Sequence, residues 1–295
     1  MQLRKSYMYY KAALKPDLCK KIIAHGLSKM VIDEAKGIPK EASTFDNKEK
    51  GGTAKDGTKV SDTLMVGGMT RETMAKKGID IKSAYVRDSH ISWLNDKWIY
   101  DILHPYVHHA NREAGWNWHW DFSESYQFTT YHGDRKQFYG WHADGSSDHL
   151  SKYKPAVPIG TKDKPRFKPV KRDDKGAILY DADKKGIPDM DKDDVPLDKK
   201  NKRLTSGWTD NPHMWDKIRK LSMTVNLTNP DNYSGGNLKF DLGPHAGKKR
   251  YHVCKEIRPQ GSIIIFPSFT YHCVTPCTRG TRYSLVLWSL GRPWQ

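Results

Sequence analysis

The stretch FYGWHADG, Phe138 to Gly145, sets a histidine and an aspartate two residues apart among aromatic residues and then stops at a glycine. In a strand, side chains alternate with a period of two, so His142 and Asp144 point to one face. An imidazole and a carboxylate aimed at one point supply two-thirds of a metal site. The third ligand must come from elsewhere. The candidate stands at the end of GSIIIFPSFTYHCVTP, where an apolar strand, Ile263 to Phe266, breaks at Pro267 and delivers His272. Two histidines and one carboxylate on one face of a metal suit Fe(II) and leave three positions open. A closed zinc site would want a fourth protein ligand, and none is evident.

Ten residues after His272 comes Arg282, inside RGTRYSLVLW. As a strand, this run puts Arg282, Ser284, Val286 and Trp288 on one face and Tyr283, Leu285 and Leu287 on the other. An arginine facing into a core is costly unless it meets an anion. Its planar fork suits a carboxylate, and Ser284 adds a hydroxyl two residues on. A metal site and an inward cation together imply a small dicarboxylate held between them.

The elements that position these residues lie mostly in the second half of the chain. YQFTTYHG, KQFYGWHAD, KLSMTVNLT, GNLKF, GSIIIFPS and TRYSLVLWSL are short β-branched or aromatic runs divided by turn residues. YSGG, Tyr233 to Gly236, reads as a turn joining two antiparallel strands. This half predicts a jelly roll or double-sheet barrel, with helices packed outside, in an α+β chain. Residues 16–29, PDLCKKIIAHGLSK, predict a short helix, and 34–80 an exposed glycine-rich loop. ISWLNDKWIYDILHPYVHHANREAGW predicts a second helical block, kinked or restarted at Pro105. In it His104 and His108 stand at i, i+4; without an HExxH context they read as paired surface histidines.

The chain has 295 residues, 37% of them hydrophobic and 11% aromatic, which marks a folding sequence rather than a disordered one. One domain over 1–295 is expected: 1–117 as helical and loop support, 118–145 and 216–295 as the barrel, and 146–215 as an insertion or lid. No run has the length of a membrane helix, so no membrane partner is expected, and MQLRKSYMYYKAALKP lacks an apolar signal core. Cys19, Cys254, Cys273 and Cys277 form no CxxC and read as reduced thiols. These features point to the cytoplasm. The net charge of +16 leaves nucleic acid, acidic proteins and anionic surfaces open as partners, although the lysines are spread over loops and interleaved with aspartate.

Within the lysine- and aspartate-rich insertion, DADKKGIPDMDKDD is similar to calcium loops. Asp181, Asp183, Asp189 and Asp191 are the candidate oxygen ligands for Ca2+ around Gly186. Lys185 and Lys192 stand where such loops prefer acidic or amide residues. The alternative is a solvated charged loop.

The ordered set His142-x-Asp144 … His272-x9-Arg282 resembles the signature of the 2-oxoglutarate- and Fe(II)-dependent oxygenases. QFTTYHGDRKQFYGWHAD, YSGGNLKF and FPSFTYHCVTPCTRGTRYSLVLW are similar to the prolyl 4-hydroxylase-like branch that includes the PKHD-type hydroxylases. The helical block from RDSHISWL to AGW also resembles the N-terminal part of some members, particularly phage-encoded ones, for which the location would be the host cytoplasm. The likeness covers most of Tyr126–Trp288, and the insertion at 146–215 departs from it.

The resemblance implies a double-stranded β-helix and a metal centre of His142, Asp144 and His272 holding Fe(II) chelated by 2-oxoglutarate. It implies that Arg282 pairs with the distal carboxylate, assisted by Ser284, that Tyr131 and Tyr139 line the co-substrate pocket, and that Trp288 lies beside the metal. Ascorbate is the expected supporting reductant. Relatives that halogenate leave the carboxylate position empty, so Asp144 implies hydroxylation. The implied reaction hydroxylates a peptidyl, prolyl substrate and releases succinate and carbon dioxide. Two alternatives stay open: an oxygenase acting on nucleic acid, suggested by charge alone, and a barrel that binds without turnover.

Overall fold

The alternating runs pair as their patterning requires. The structure is a computed structural model describing residues 5–38, 40–45, 85–145, 152–197, 207–243 and 250–294. Its elements are β1 (Met8–Tyr10), α1 (Pro16–Ala35), β2 (Glu41–Phe45), β3 (Tyr85–Leu94), α2 (Lys97–Glu113), β4 (Phe122–Ser123), β5 (Tyr126–His132) and β6 (Phe138–His142). There follow β7 (Lys154–Pro158), β8 (Phe167–Pro169), β9 (Trp208–Thr209), β10 (Ile218–Asn226), β11 (Tyr233–Gly235) and β12 (Leu238–Asp241). The last are β13 (Tyr251–Val253), β14 (Ile263–Pro267), β15 (Tyr271–Val274) and β16 (Cys277–Gly291). The chain divides into two units, each with its own packing.

The first unit comprises Met1–Trp118, Glu124–Asp144 and Leu221–Trp288. Its strands follow the order β1-β14-β10-β16-β5-β3-β6-β15-β12-β13. β14 and β12 lie toward opposite ends of that order, yet Ile264 and Phe266 of one share a buried cluster with Leu238 and Phe240 of the other. The Phe240 and Phe266 ring centroids are 5.1 Å apart. The sheet therefore curls until its two ends face each other, which is the expected jelly-roll barrel. Burying apolar side chains between the two layers is what drives the curl.

The helices cover the outside of the sheet. In α2, Ile99, Leu103, Val107 and Ala110 are buried at the spacing of one helical stripe. Pro105 lies inside this helix, which runs through it. Ile91–Leu94, expected to open that helical block, instead end strand β3, where Ser92 pairs with Phe128. Helix α1 is longer than expected, running to Ala35 behind Pro16 at its first turn. A Cβ on its Gly26 would lie 2.4 Å from the Phe128 ring, so the missing side chain permits the close approach of helix and sheet. His108 is exposed and His104 half-buried, the latter edge-on to Tyr100.

Two further expectations are corrected. Within 34–80, residues 41–45 form β2, paired with β3; the stretch 46–80 lies outside the described residues. YSGG does not join two mutually paired strands: β11 pairs with β16, whereas β12 pairs with β13 and β15. Gly235 and Gly236 both take positive φ, and this left-handed corner carries the chain from one partner strand to another.

The second unit comprises His119–Ser123, Gly145–Lys220 and Ser289–Gln295. Its sequence shows few apolar anchors, yet its described part is ordered. β7 pairs antiparallel with β8 and parallel with β9, and Ala156, Val170, Val195 and Trp215 are buried. Aspartates close its turns: Asp173 Oδ1 accepts from the Lys175 and Ala177 amides, and Asp181 Oδ1 from those of Asp183 and Lys185. Such Asx turns substitute for apolar anchoring.

The calcium expectation finds no support in these contacts. Asp181 spends its carboxylate on backbone amides, Asp183 lies by Lys185, and Asp189 by Lys192. No three of Asp181, Asp183, Asp189 and Asp191 converge, and among the described residues one group of three potential metal ligands is found, elsewhere in the chain. No described helix is long and apolar enough to cross a membrane.

Candidate metal centre and anion pocket

That group is His142, Asp144 and His272, whose ligand atoms lie within 4.8 Å of one another. β6 and β15 are antiparallel neighbours, with His142 directly opposite His272. Strand β6 ends at His142, and Asp144 reaches the site from the bend beyond it rather than from the same strand. Its two oxygens stand 3.5 Å from His142 Nε2 and 3.6 Å from His272 Nε2.

Each histidine is held at its other nitrogen. His142 Nδ1 lies 2.8 Å from the Gly140 carbonyl and His272 Nδ1 lies 2.9 Å from the Thr270 carbonyl. A carbonyl can only accept, so Nδ1 carries the proton and Nε2 presents its lone pair toward Asp144. Burial, with His142 adding to the effect, holds His272 down to about 4, against the pull of Asp144 and the Thr270 carbonyl. At neutral pH it is a neutral ligand. Two Nε2 atoms and a carboxylate, each oriented by its surroundings, are a donor set that fits a divalent transition metal with open positions.

A narrow cavity of about 40 Å³ adjoins this cluster. Arg282, Ser284, Val286 and Trp288 all line it, as the alternation of β16 requires. Arg282 is 2% exposed, its Nη1 is 3.4 Å from Ser284 Oγ, and its guanidinium lies over the Tyr131 ring at 5.5 Å. Tyr131 stands opposite Arg282 across β5 and β16. Burial pushes the Tyr131 phenol up, so it stays protonated and able to donate. Gly236 makes room for the arginine: a Cβ there would lie 2.9 Å from Arg282 Cδ. Tyr139 stacks flat on His142, with centroids 3.5 Å apart and 12° between planes. Leu238, Met223, Phe266 and Val274 supply apolar wall.

His142, Asp144, His272, Arg282, Ser284, Tyr131, Tyr139 and Trp288, the eight residues expected at the metal centre and co-substrate pocket, thus all line one cavity. Sequence reasoning missed Arg87 and Gln127, which line it too. Arg87 sits on β3, in YVRDSHISWL, where Arg87, Ser89, Ile91 and Trp93 alternate with Asp88, His90 and Ser92. That period of two was the available signal, and it was masked by reading the end of the segment as helix.

No family model matches the chain. It is similar to the PKHD-type hydroxylase Syncc9605_1577 of Synechococcus sp. (strain CC9605), 40% identical over 84 residues, which is 28% of this chain and 35% of that protein. It is 37% identical over 70 residues to the PKHD-type hydroxylase YbiX of Escherichia coli O1:K1 / APEC, 23% of this chain and 27% of that protein. Among solved structures, the viral collagen prolyl hydroxylase vCPH from Paramecium Bursaria Chlorella virus-1 aligns over 97% of both chains, with 13% identity and a TM-score of 0.46. The chain spans about a third of the length of the first of these curated relatives, and over that span it is similar to PKHD-type hydroxylases.

Proposed function

We propose that this protein is an Fe(II)- and 2-oxoglutarate-dependent dioxygenase that hydroxylates a prolyl residue in a peptide or protein. The observation that carries the reading is the convergence of His142, Asp144 and His272 with the buried Arg282 in one cavity. The local similarity to PKHD-type hydroxylases supports it.

His142, Asp144 and His272 would hold the metal, with Nε2 lone pairs and a carboxylate as donors. Fe(II) with 2-oxoglutarate would supply the oxidative step, in which oxygen is consumed, the keto acid gives succinate and carbon dioxide, and the substrate gains a hydroxyl. Arg282 binds the distal carboxylate of the co-substrate with its fork, and Ser284 and the Tyr131 hydroxyl complete that end. Tyr139 fixes the plane of the His142 imidazole by stacking on it. Trp288, Val286, Phe266 and Leu238 exclude water from the space between.

The test is succinate release from 2-oxoglutarate with Fe(II), oxygen and ascorbate, with and without proline-containing peptides. Succinate that depends on His142 and rises with particular peptides is the expected result. Binding of metal and 2-oxoglutarate without succinate, whatever peptide or nucleic acid is added, would leave a barrel that binds without turnover.

A further inference from the structure

The cavity contains a second inward arginine that the reading above does not use. Arg87 is 7% exposed and lines the same space as Arg282. Its hydrogen bonds go to neutral oxygens: Nε donates to Ser89 Oγ at 2.8 Å and Nη2 to Gln127 Oε1 at 2.6 Å. Its guanidinium also lies over the Tyr139 ring, 4.6 Å from the centroid. Among the described residues Nη1 has no hydrogen-bond partner and no carboxylate pairs with Arg87. A buried cation left with neutral partners is costly, and an anion entering the cavity removes that cost.

The charges lining the cavity say which anion is left to supply. Among the described residues lining it, Arg87 and Arg282 are the cations, and Asp144, 3.5 and 3.6 Å from the two histidine Nε2 atoms, is the carboxylate. A divalent metal adds positive charge, and a 2-oxoglutarate dianion is met at one end by that metal and at the other by Arg282. Among the described residues no carboxylate is left to pair with Arg87. It is rooted on β3, two strands from Arg282 on β16 and next to β6, which carries His142. Its guanidinium lies over Tyr139, the ring that stacks on His142, which places it beside the metal cluster, where the oxidised position of a substrate must come.

We propose that Arg87 is a substrate-specificity residue that binds a carboxylate of the peptide, so that the substrate is an acidic segment with Asp, Glu or a chain-terminal carboxylate beside the oxidised residue. The net charge of +16 favours encounter with such acidic chains. The inference rests on the oxygenase reading for the identity of the other ligands, while the buried arginine, held among the described residues by neutral partners, stands without it.

The experiment measures peptide binding by tryptophan fluorescence on the Mn(II)- and 2-oxoglutarate-loaded protein, without oxygen. Paired proline-containing peptides differ in Asp against Asn and Glu against Gln, and 2-oxoglutarate affinity is titrated separately. Wild type should favour the acidic member by about tenfold, the scale of a charge-assisted pair. Arg87→Gln should abolish that preference while leaving 2-oxoglutarate affinity unchanged, and Arg87→Lys should retain part of it. A preference that survives in Arg87→Gln overturns the proposal. So does an Arg87→Gln protein that loses 2-oxoglutarate affinity with no change toward peptides, since Arg87 would then serve the co-substrate. Should wild type bind no 2-oxoglutarate, the oxygenase reading fails by itself, and the acid preference is still read on the metal-free protein.

Discussion

His142 and His272 face each other across one pair of antiparallel strands, their ring centroids 4.2 Å apart. Two residues 130 positions apart in sequence become one half-site through a single register, and Asp144 closes it. The hydrogen bonds that set the β6–β15 register therefore also set ligand spacing, and a slip by one residue would turn one imidazole out of the site.

His142→Ala is expected to cost more metal affinity than the ~10–100-fold that loss of an outer partner typically causes. The fold should persist, because His142 lies at the end of its strand. Metal titration followed by circular dichroism checks both; full affinity in this variant would refute the ligand assignment.

Arg282→Met leaves the distal carboxylate unpaired while keeping much of the side-chain volume. A charged hydrogen-bonding partner is worth roughly 1.5–3 kcal/mol, so the 2-oxoglutarate concentration for half-saturation should rise about 10- to 100-fold. Metal affinity should hold. Equilibrium binding of the co-substrate to the Mn(II) form is the measurement.

Gly236→Ala should reproduce part of that loss from outside the ligand set. The residue has φ +59° and its Cβ would press on Arg282 Cδ at 2.9 Å. The left-handed conformation alone costs roughly 1–2 kcal/mol for a side-chain-bearing residue. A lowered melting temperature together with weaker 2-oxoglutarate binding is expected; a shift in melting alone would show that the arginine relaxes freely.

The depressed His272 gives the metal-free protein an acid limb. Its folded value of about 4 lies below the ordinary 6.5, so the unfolded chain binds the proton more readily. Stability is complete above about 6.5 and falls as pH drops toward 4, by ~3 kcal/mol in total for this group. Urea midpoints across that window should flatten in His272→Gln.

Much of the site was legible because it follows the strand period. The alternation of Arg282, Ser284, Val286 and Trp288 needed only a correct strand assignment, and the break at Pro267 marked the approach to His272. Arg87 was not legible once ISWL had been joined to the following helix, since Trp93 and Leu94 suit either element. The second unit was underread because its turns rest on aspartate carboxylates bonded to backbone amides, which look like solvated charge in sequence. YSGG misled for a related reason: paired glycines mark a tight corner, while the strands flanking it need not be partners.

The register between β6 and β15 carries one more consequence. Val274 pairs with Tyr139 and His272 with His142, so two steps along β15 are matched by three along β6. The extra residue is a bulge at Gly140–Trp141, and it lets Tyr139 and His142 share a face although an odd number of positions separates them. In a regular strand these two roles would be mutually exclusive. Deleting Gly140 would therefore force a choice between the ring that supports the ligand and the ligand itself, and the length of this strand is as much a part of the chemistry as its side chains.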